Sequence, residues 1–393
     1  MIVMKILFAA DMCFNRFENL PSKSLLHSYF NSVKPVFETT DFSMLNLECV
    51  LYDGDNTPII KSGPALKAES GFVEALSFLN VDVAGLANNH TGDYRDEAIF
   101  DTINLLAKNN IASIGAGENI TQAYLPYVFE KDGIKVAVLA ICENEFGVAD
   151  NDRAGVAGFN LVRTAKAIRE AKESADRVVV FFHGGNENNP FPSPGKTELY
   201  RYIIDLGADA FIGMHTHCPQ GYEIYNGKPI VYSMGNFYFP VKAEGARADL
   251  NNNWYFGYMT ELDITKEQIK INVHPYHFGS LENPTMELLS GDRKESFMKY
   301  LNDISVPISD AEQIKHLFNI WCTTRGITYS AMLKYSHDME KNGASLCCHM
   351  KNDFSCEAHN ELVRNTLDMC YFDTIERYSA LQDEINQYCV IKL

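Results

Sequence analysis

"LGADAFIGMHTHCPQGYEIYNGKPIVYSMGNF", Leu206–Phe237, decides the fold of this chain. An apolar run, "ADAFIGM", ends in two histidines one residue apart, His215 and His217. A second run, "KPIVYSMGNF", follows soon after and closes on Gly235-Asn236-Phe237. Short apolar runs rich in Val, Ile and Phe read as buried strands. In an extended segment residues i and i+2 share a side, so His215 and His217 are expected to converge on one point. Imidazole is a common nitrogen ligand for zinc, iron and related ions. An isolated His-x-His is also what a surface loop carries by chance. The rest of the chain must decide between the two.

Working outward, the same texture recurs. "MKILFAA", "FSMLNLE", "VDVAGLANN", "IASIG", "KVAVLAIC" and "RVVVFFHGG" read as further buried strands. Between them lie helical patterns such as "DEAIFDTINLLAKN", "NLVRTAKAIREAKES" and "GKTELYRYIIDLG". "YFGYMTELDI" and "EQIKINVHPYHF" alternate strictly and read as an antiparallel pair. Such alternation predicts an α/β domain with buried sheets. Past "SLENPT", Ser280–Thr285, strand runs give way to helical spacing. The expected organisation is an α/β domain over residues 1–283 and an all-helical appendage over 284–393.

The net charge of −17 over 393 residues argues against a nucleic-acid binder, which needs a basic face. No run of about 18 apolar residues occurs, so no membrane span is expected. The opening "MIVMKILFAADMCFNR" breaks at Asp11 and reads as a first strand rather than a signal peptide. A cytoplasmic protein with free buried thiols is the expectation.

In open α/β sheets, ligands gather where strands end. The first strand here ends at Asp11, the second at Asn46 and Glu48, the third at Asn88, Asn89 and His90. Later strands end at His183, at His215 and His217, and at Asn236. One buried polar residue at a strand end needs only a hydrogen bond. Recurrence at strand after strand suits a two-metal centre, which needs a bridging carboxylate with terminal N and O donors around it.

The order Asp, Glu, Asn-His, His, His-x-His resembles the calcineurin-like metallophosphoesterase superfamily. More narrowly, "LNLECVL", "LANNHTGDYRDEAIFDTINLLAKNNIASIGAGEN", "FFHGGNE" and the opening stretch are similar to the bacterial capsule synthesis (CapA, poly-γ-glutamate biosynthesis) family over about residues 4–275. The resemblance implies a four-layer α-β-β-α sandwich of the metallo-dependent phosphatase type. It implies that Asp11 and His217 bind one metal, that Asn89, His183 and His215 bind a second, and that Glu48 bridges them. His90 would donate a proton or steady the transition state, with Asp93 orienting it, and Arg16 would face an anionic substrate. Glu187 and Asn236 are further candidates to face the substrate or support the site. The superfamily carries a histidine where Cys13 stands, and an aspartate where Glu48 stands. One or two divalent ions, Mn, Fe or Zn, are therefore expected, with Cys13 an open candidate for a soft ligand.

The implied function is a hydrolase that uses a metal-bound hydroxide on a phosphoester or glutamyl amide, linked to capsule or poly-γ-glutamate metabolism. Its substrate would be an anionic small molecule or polymer. The alternative is a non-catalytic polymer-binding or assembly component of capsule synthesis. In the tail, Cys347, Cys348, His349, Cys356 and His359 lack the paired spacing of a zinc site. Its Leu, Met and aromatic positions are for packing, either onto the core domain or onto another chain, a protein partner or a second copy.

Overall fold

Strand Met4–Met12 is buried along almost its whole length and sits at the centre of an eight-stranded sheet. The computed structural model describes residues 2–55, 57–333 and 339–393. Phe42–Leu47, Val83–Gly85 and Ala112–Ile114 follow Met4–Met12 on one side, in parallel. Phe256–Ile264, Ile269–Phe278 and Met286–Leu288 extend the other side, antiparallel. Asn236–Tyr238 adds in parallel to the end of Met4–Met12, with Asp11 opposite Asn236.

A six-stranded sheet faces it. Its order is Tyr222–Tyr225, Lys228–Val231, Ala210–Met214, Arg177–His183, Ile134–Cys142, Tyr127–Lys131, and its four central strands are parallel. Parallel strands buried on both faces need continuous apolar sequence, which explains runs such as "VVVFF". The two sheets touch through Phe8 and Phe181, whose ring centroids lie 5.8 Å apart. A Cβ on Gly85 would lie 2.9 Å from the Phe181 ring, so a glycine is needed at that close approach.

Helices cover the outer faces. Leu161–Ser174 buries Ile168 and Ala171, and Asn160 caps its first turn by accepting from the Arg163 N–H. Pro194–Asp205 buries Tyr200, Ile203 and Ile204 behind a Ser193 cap. This is the four-layer α/β arrangement that the sequence leads one to expect. The helical segment begins at Gly291, because Met286–Leu288 is still a sheet strand.

The helices after Gly291 fold back over the strand ends. Several hydrogen bonds dock them, among them those of Glu143, Glu357, Glu361 and Lys351. The buried Glu143 carboxylate accepts from the Ala358 N–H at 3.0 Å and also pairs with buried Lys196. Glu357 accepts from the Asn144 N–H at 3.1 Å. Glu361 accepts from Ser193 Oγ at 2.5 Å and the Gly195 N–H at 2.7 Å. Lys351 Nζ donates to the Glu145 carbonyl at 2.6 Å. Among the described residues no helix is long and apolar enough to cross a membrane.

Candidate metal centre

Five strands aim their carboxyl ends at one region. Met4–Met12 carries Asp11, Phe42–Leu47 leads into Glu48, and Val83–Gly85 leads into Asn88, Asn89 and His90. Arg177–His183 ends on His183, and Ala210–Met214 runs into His215 and His217. All of these polar residues are buried.

The side chains fall into two main groups whose donor atoms lie within 4.8 Å of one another: Asp11, Glu48 and His217, and Glu48, His183 and His215. Glu48 belongs to both. Its Oε1 lies 3.6 Å from His217 Nε2 and 3.7 Å from His183 Nε2. Asn89 Oδ1 lies 3.1 Å and His215 Nδ1 2.9 Å from the same His183 nitrogen. His217 turns its Nδ1 to Asn236 Oδ1 at 2.8 Å, which leaves Nε2 facing Glu48. Asp11 is oriented by Asn46 Nδ2 at 2.8 Å and the His215 N–H at 2.9 Å.

One expectation needs correcting. His215 and His217 do not converge because they alternate along a strand. The strand stops at Met214, and both residues have left-handed backbones, with φ of 97° and 56°. A non-glycine residue held there costs of order 1–3 kcal/mol. A tight turn swings both rings inward and stores that strain at the site.

The donor set fits divalent cations. Both Glu48 oxygens and His215 Nε2 are buried without a hydrogen-bond partner. Burial, reinforced by Asp11, pushes the Glu48 carboxyl well above its usual range, and burial raises Asp11 too. Burial also drives His183 well below the usual histidine value and His217 down to about 4. Burial disfavours both charged forms. A cation held here would satisfy the orphaned atoms and reverse the penalty on the carboxylates.

Beside this group, His90 Nδ1 lies 2.7 Å from Asp93 Oδ2, and Lys61 Nζ lies 2.5 Å from Asp93 Oδ1. Burial and then the Lys61 charge hold the His90 pKa below its ordinary value. Gly92 and Gly147 meet back to back here: a Cβ on Gly92 would lie 2.5 Å from Gly147 Cα. Only glycines let the His90 loop approach the Glu145 loop so closely.

The remaining candidates fall in different places. Glu187 is exposed at the mouth, its carboxylate grouped with His215 and His217. Asn236 is turned to His217 and to the Trp254 carbonyl. Arg16 is exposed in the first loop and does not line the cavity in front of His90. Cys13 is buried, donates to Asn15 Oδ1 at 3.3 Å, and joins no donor group among the described residues. In the tail, Cys356 points at Glu143 and Cys348 at the Ser345 carbonyl, while His349 and His359 line the cavity. Sequence reading missed Lys61 and Glu145. Glu145 is buried, with Oε1 3.6 Å from His215 Nε2. Extending the strand-end rule past Ile134–Cys142 finds it; Lys61 lies in an irregular loop with no such signal.

A cavity of about 270 Å³ opens here, lined by Lys61, His90, Glu145 and Glu187 on one side and by tail residues on the other. A larger surface groove of about 470 Å³, beside Tyr124 and Arg163, contains none of these residues.

Two facing sheets with carboxylates, an amide and histidines at the strand ends define a four-layer α/β protein with a candidate metal centre. The family model described as bacterial capsule synthesis protein PGA_cap matches residues 5–241, and the chain belongs to that family. It is 31% identical to the PGA biosynthesis protein CapA of Bacillus subtilis over 241 residues, 60% of this chain and 63% of that one. It is 31% identical to the capsule biosynthesis protein CapA of Bacillus anthracis over 218 residues, 53% of each chain. A probable polyglutamine synthesis accessory protein of Mycobacterium tuberculosis is 28% identical over 244 residues, 57% of this chain and 62% of that one. The matched part thus spans less than two thirds of these relatives. Among solved structures, a hypothetical protein from Thermus thermophilus is similar with a TM-score of 0.42 and 14% identity, covering 70% of this chain and 99% of that one. A 5'-nucleotidase from Candida albicans is similar with a TM-score of 0.39 and 12% identity, covering 80% of this chain and 57% of that one. The family match ends before the helical tail.

Proposed function

We propose that this chain is a metal-dependent hydrolase acting on a phosphoester or glutamyl amide in capsule or poly-γ-glutamate metabolism. The observation that carries this reading is the pair of donor groups that share Glu48, whose two oxygens have no other partner. Divalent ions of the Mn, Fe or Zn class bound there would supply Lewis acidity and lower the pKa of water. Asp11 and His217 would hold one ion, and Asn89, His183 and His215 the other. Glu48 would hold the two together.

The chain's own groups do the rest. Asn236 fixes the His217 ring so that Nε2 faces inward. His90, held by Asp93 through Nδ1, keeps Nε2 for the substrate; it takes up a proton there when an anionic substrate is bound and passes that proton to the leaving group. Lys61 neutralises the buried Asp93 charge and keeps the imidazole neutral when no substrate charge is near. The tail helices cover the cavity and limit water access.

Elemental analysis of chelator-free protein, followed by a phosphoester and glutamyl-amide screen with the metal found, tests this directly. Near two equivalents with turnover is the expected result. The second reading, a non-catalytic assembly component, is favoured by the three-donor composition of the Asp11 group. It predicts one equivalent or none, and no turnover of either substrate class.

A further inference from the structure

The wall that the tail builds over the cavity has the properties of a binding subsite. Asn352 and Asp353 lie on helix Met339–Ser355, and His359 lies on Glu357–Tyr371. All three line the cavity, and each is at least nine-tenths buried. Among the described residues each carries a polar atom with no hydrogen-bond partner: Asn352 Oδ1, Asp353 Oδ2 and His359 Nδ1. Buried polar atoms left unpaired are costly, so three on one wall need an explanation. The side chains are held in place. Asn352 Nδ2 donates to Ser62 Oγ at 3.1 Å and to Glu145 Oε2 at 3.3 Å, which leaves its carbonyl oxygen unused. Tyr329 Oη sits 3.4 Å from His359 Nε2, which leaves Nδ1 unused.

The missing partner is a donor. Asn352 Oδ1 and Asp353 Oδ2 can only accept while the aspartate is ionised, and His359 Nδ1 accepts in the tautomer whose Nε2–H donates to Tyr329 Oη. Charge points the same way. Asp353, Glu145 and Glu187 line the cavity, and the lysine that lines it, Lys61, is already paired with Asp93. A second metal-binding group is not what these residues make: they form no donor cluster of the kind found around Glu48 among the described residues. A primary ammonium, with three donors and a positive charge, matches two oxygen acceptors and an imidazole nitrogen.

We propose that Asn352, Asp353 and His359 form a subsite for a primary ammonium group at the end of the substrate, across the cavity from Asn89 and His90, where the cavity meets the floor of metal donors. The proposal rests on the hydrolase reading in one respect: the floor takes the scissile phosphoester or amide while the wall takes the amino end. The cavity, about 270 Å³, is below the ~300–1,000 Å³ usual for drug-sized ligands. It holds the end of a glutamyl chain and not its interior.

The test uses the full chain after chelator treatment, so that turnover does not confuse binding. A γ-glutamyl tripeptide with a free amino end is titrated calorimetrically against the same peptide acetylated at that end. The free form is expected to bind about tenfold or more tightly, as a charge-assisted contact should. Asp353→Asn is expected to abolish the difference while leaving the metal content of the loaded protein unchanged. Equal affinities for the two peptides, or no binding of either at millimolar concentration, overturn the subsite. A preference that survives in Asp353→Asn overturns this assignment of residues. The floor is judged separately, from phosphoester and amide hydrolysis by the metal-loaded protein. A preference without turnover sinks the hydrolase reading alone, and turnover without a preference sinks the subsite alone.

Discussion

The metal-donor floor, which meets the cavity at Asn89, and the tail wall that lines its other side are built in opposite ways. The floor hangs from strand ends: Asp11, Glu48, His183 and His215 sit on or directly after buried strands of two facing sheets, and their backbones cannot shift without moving the core. The wall hangs from side chains. Its helices are fastened by Glu143, Glu357, Glu361 and Lys351, each bonded to a backbone or hydroxyl group of the other part. A floor made this way moves only with the sheets that carry it. A wall made this way can be altered without touching the sheets.

Breaking the floor should have the largest effect. Glu48→Gln removes the shared negative charge, and we expect bound metal to fall to background and hydrolysis to drop roughly 10⁴-fold or more. The same change should stabilise chelator-treated protein, raising its Tm by about 2 °C or more, because a buried unpaired carboxylate is gone. Metal analysis and calorimetry with and without chelator read both signs. Next comes His90→Gln, which should cost roughly 10²–10⁴-fold in turnover with metal content unchanged. A loss of metal there would make His90 part of the floor's donor set.

Breaking the fastening tests the other half. Glu143→Gln leaves Lys196 buried without its partner, which costs about 3–5 kcal/mol. Chemical denaturation should show it, and limited proteolysis should show the tail helices cut first. The smallest effect is a sharpening one. Burial, partly offset by His359 and His349, lifts the Asp353 carboxyl from 3.8 to about 6. Between those values the folded chain keeps a proton that the unfolded chain has released, so stability falls as pH rises through that window and stays lower above it. Asp353→Asn should therefore stabilise the protein at pH 8, by at most about 3 kcal/mol, and the gain should vanish below pH 4. A constant gain across pH would mean that Asp353 is not strained by its charge.

The two regions also differ in how far the sequence announces them. The floor was legible because a buried parallel strand is an apolar run, and its end is where the run meets a polar residue. Asp11, Glu48, Asn89, His183, His215 and His217 all follow that rule. What was not legible is how the ends turn. The left-handed backbone at His215 and His217 cannot be read from spacing, since a strand and a tight turn both bring the rings together. Arg16 looked well placed next to Asp11 in sequence, yet the loop carries it to solvent. The wall was legible as helices through their apolar spacing. Where those helices dock was not, because docking depends on carboxylates such as Glu357 and Glu361 meeting backbone N–H groups more than 150 residues away, as the 213- and 166-residue separations show.

Those separations predict an order of events on a ribosome. The sheets close once Phe278 and Met286–Leu288 have emerged, and N-terminal units fold first during synthesis. Glu48 and its neighbours are then assembled while the residues that will cover them are still being added. On that order an ion would reach the nascent site from open water, and the last hundred residues would close over it afterwards. A protein refolded from the full-length chain lacks that head start, so its metal loading should lag behind that of freshly translated protein.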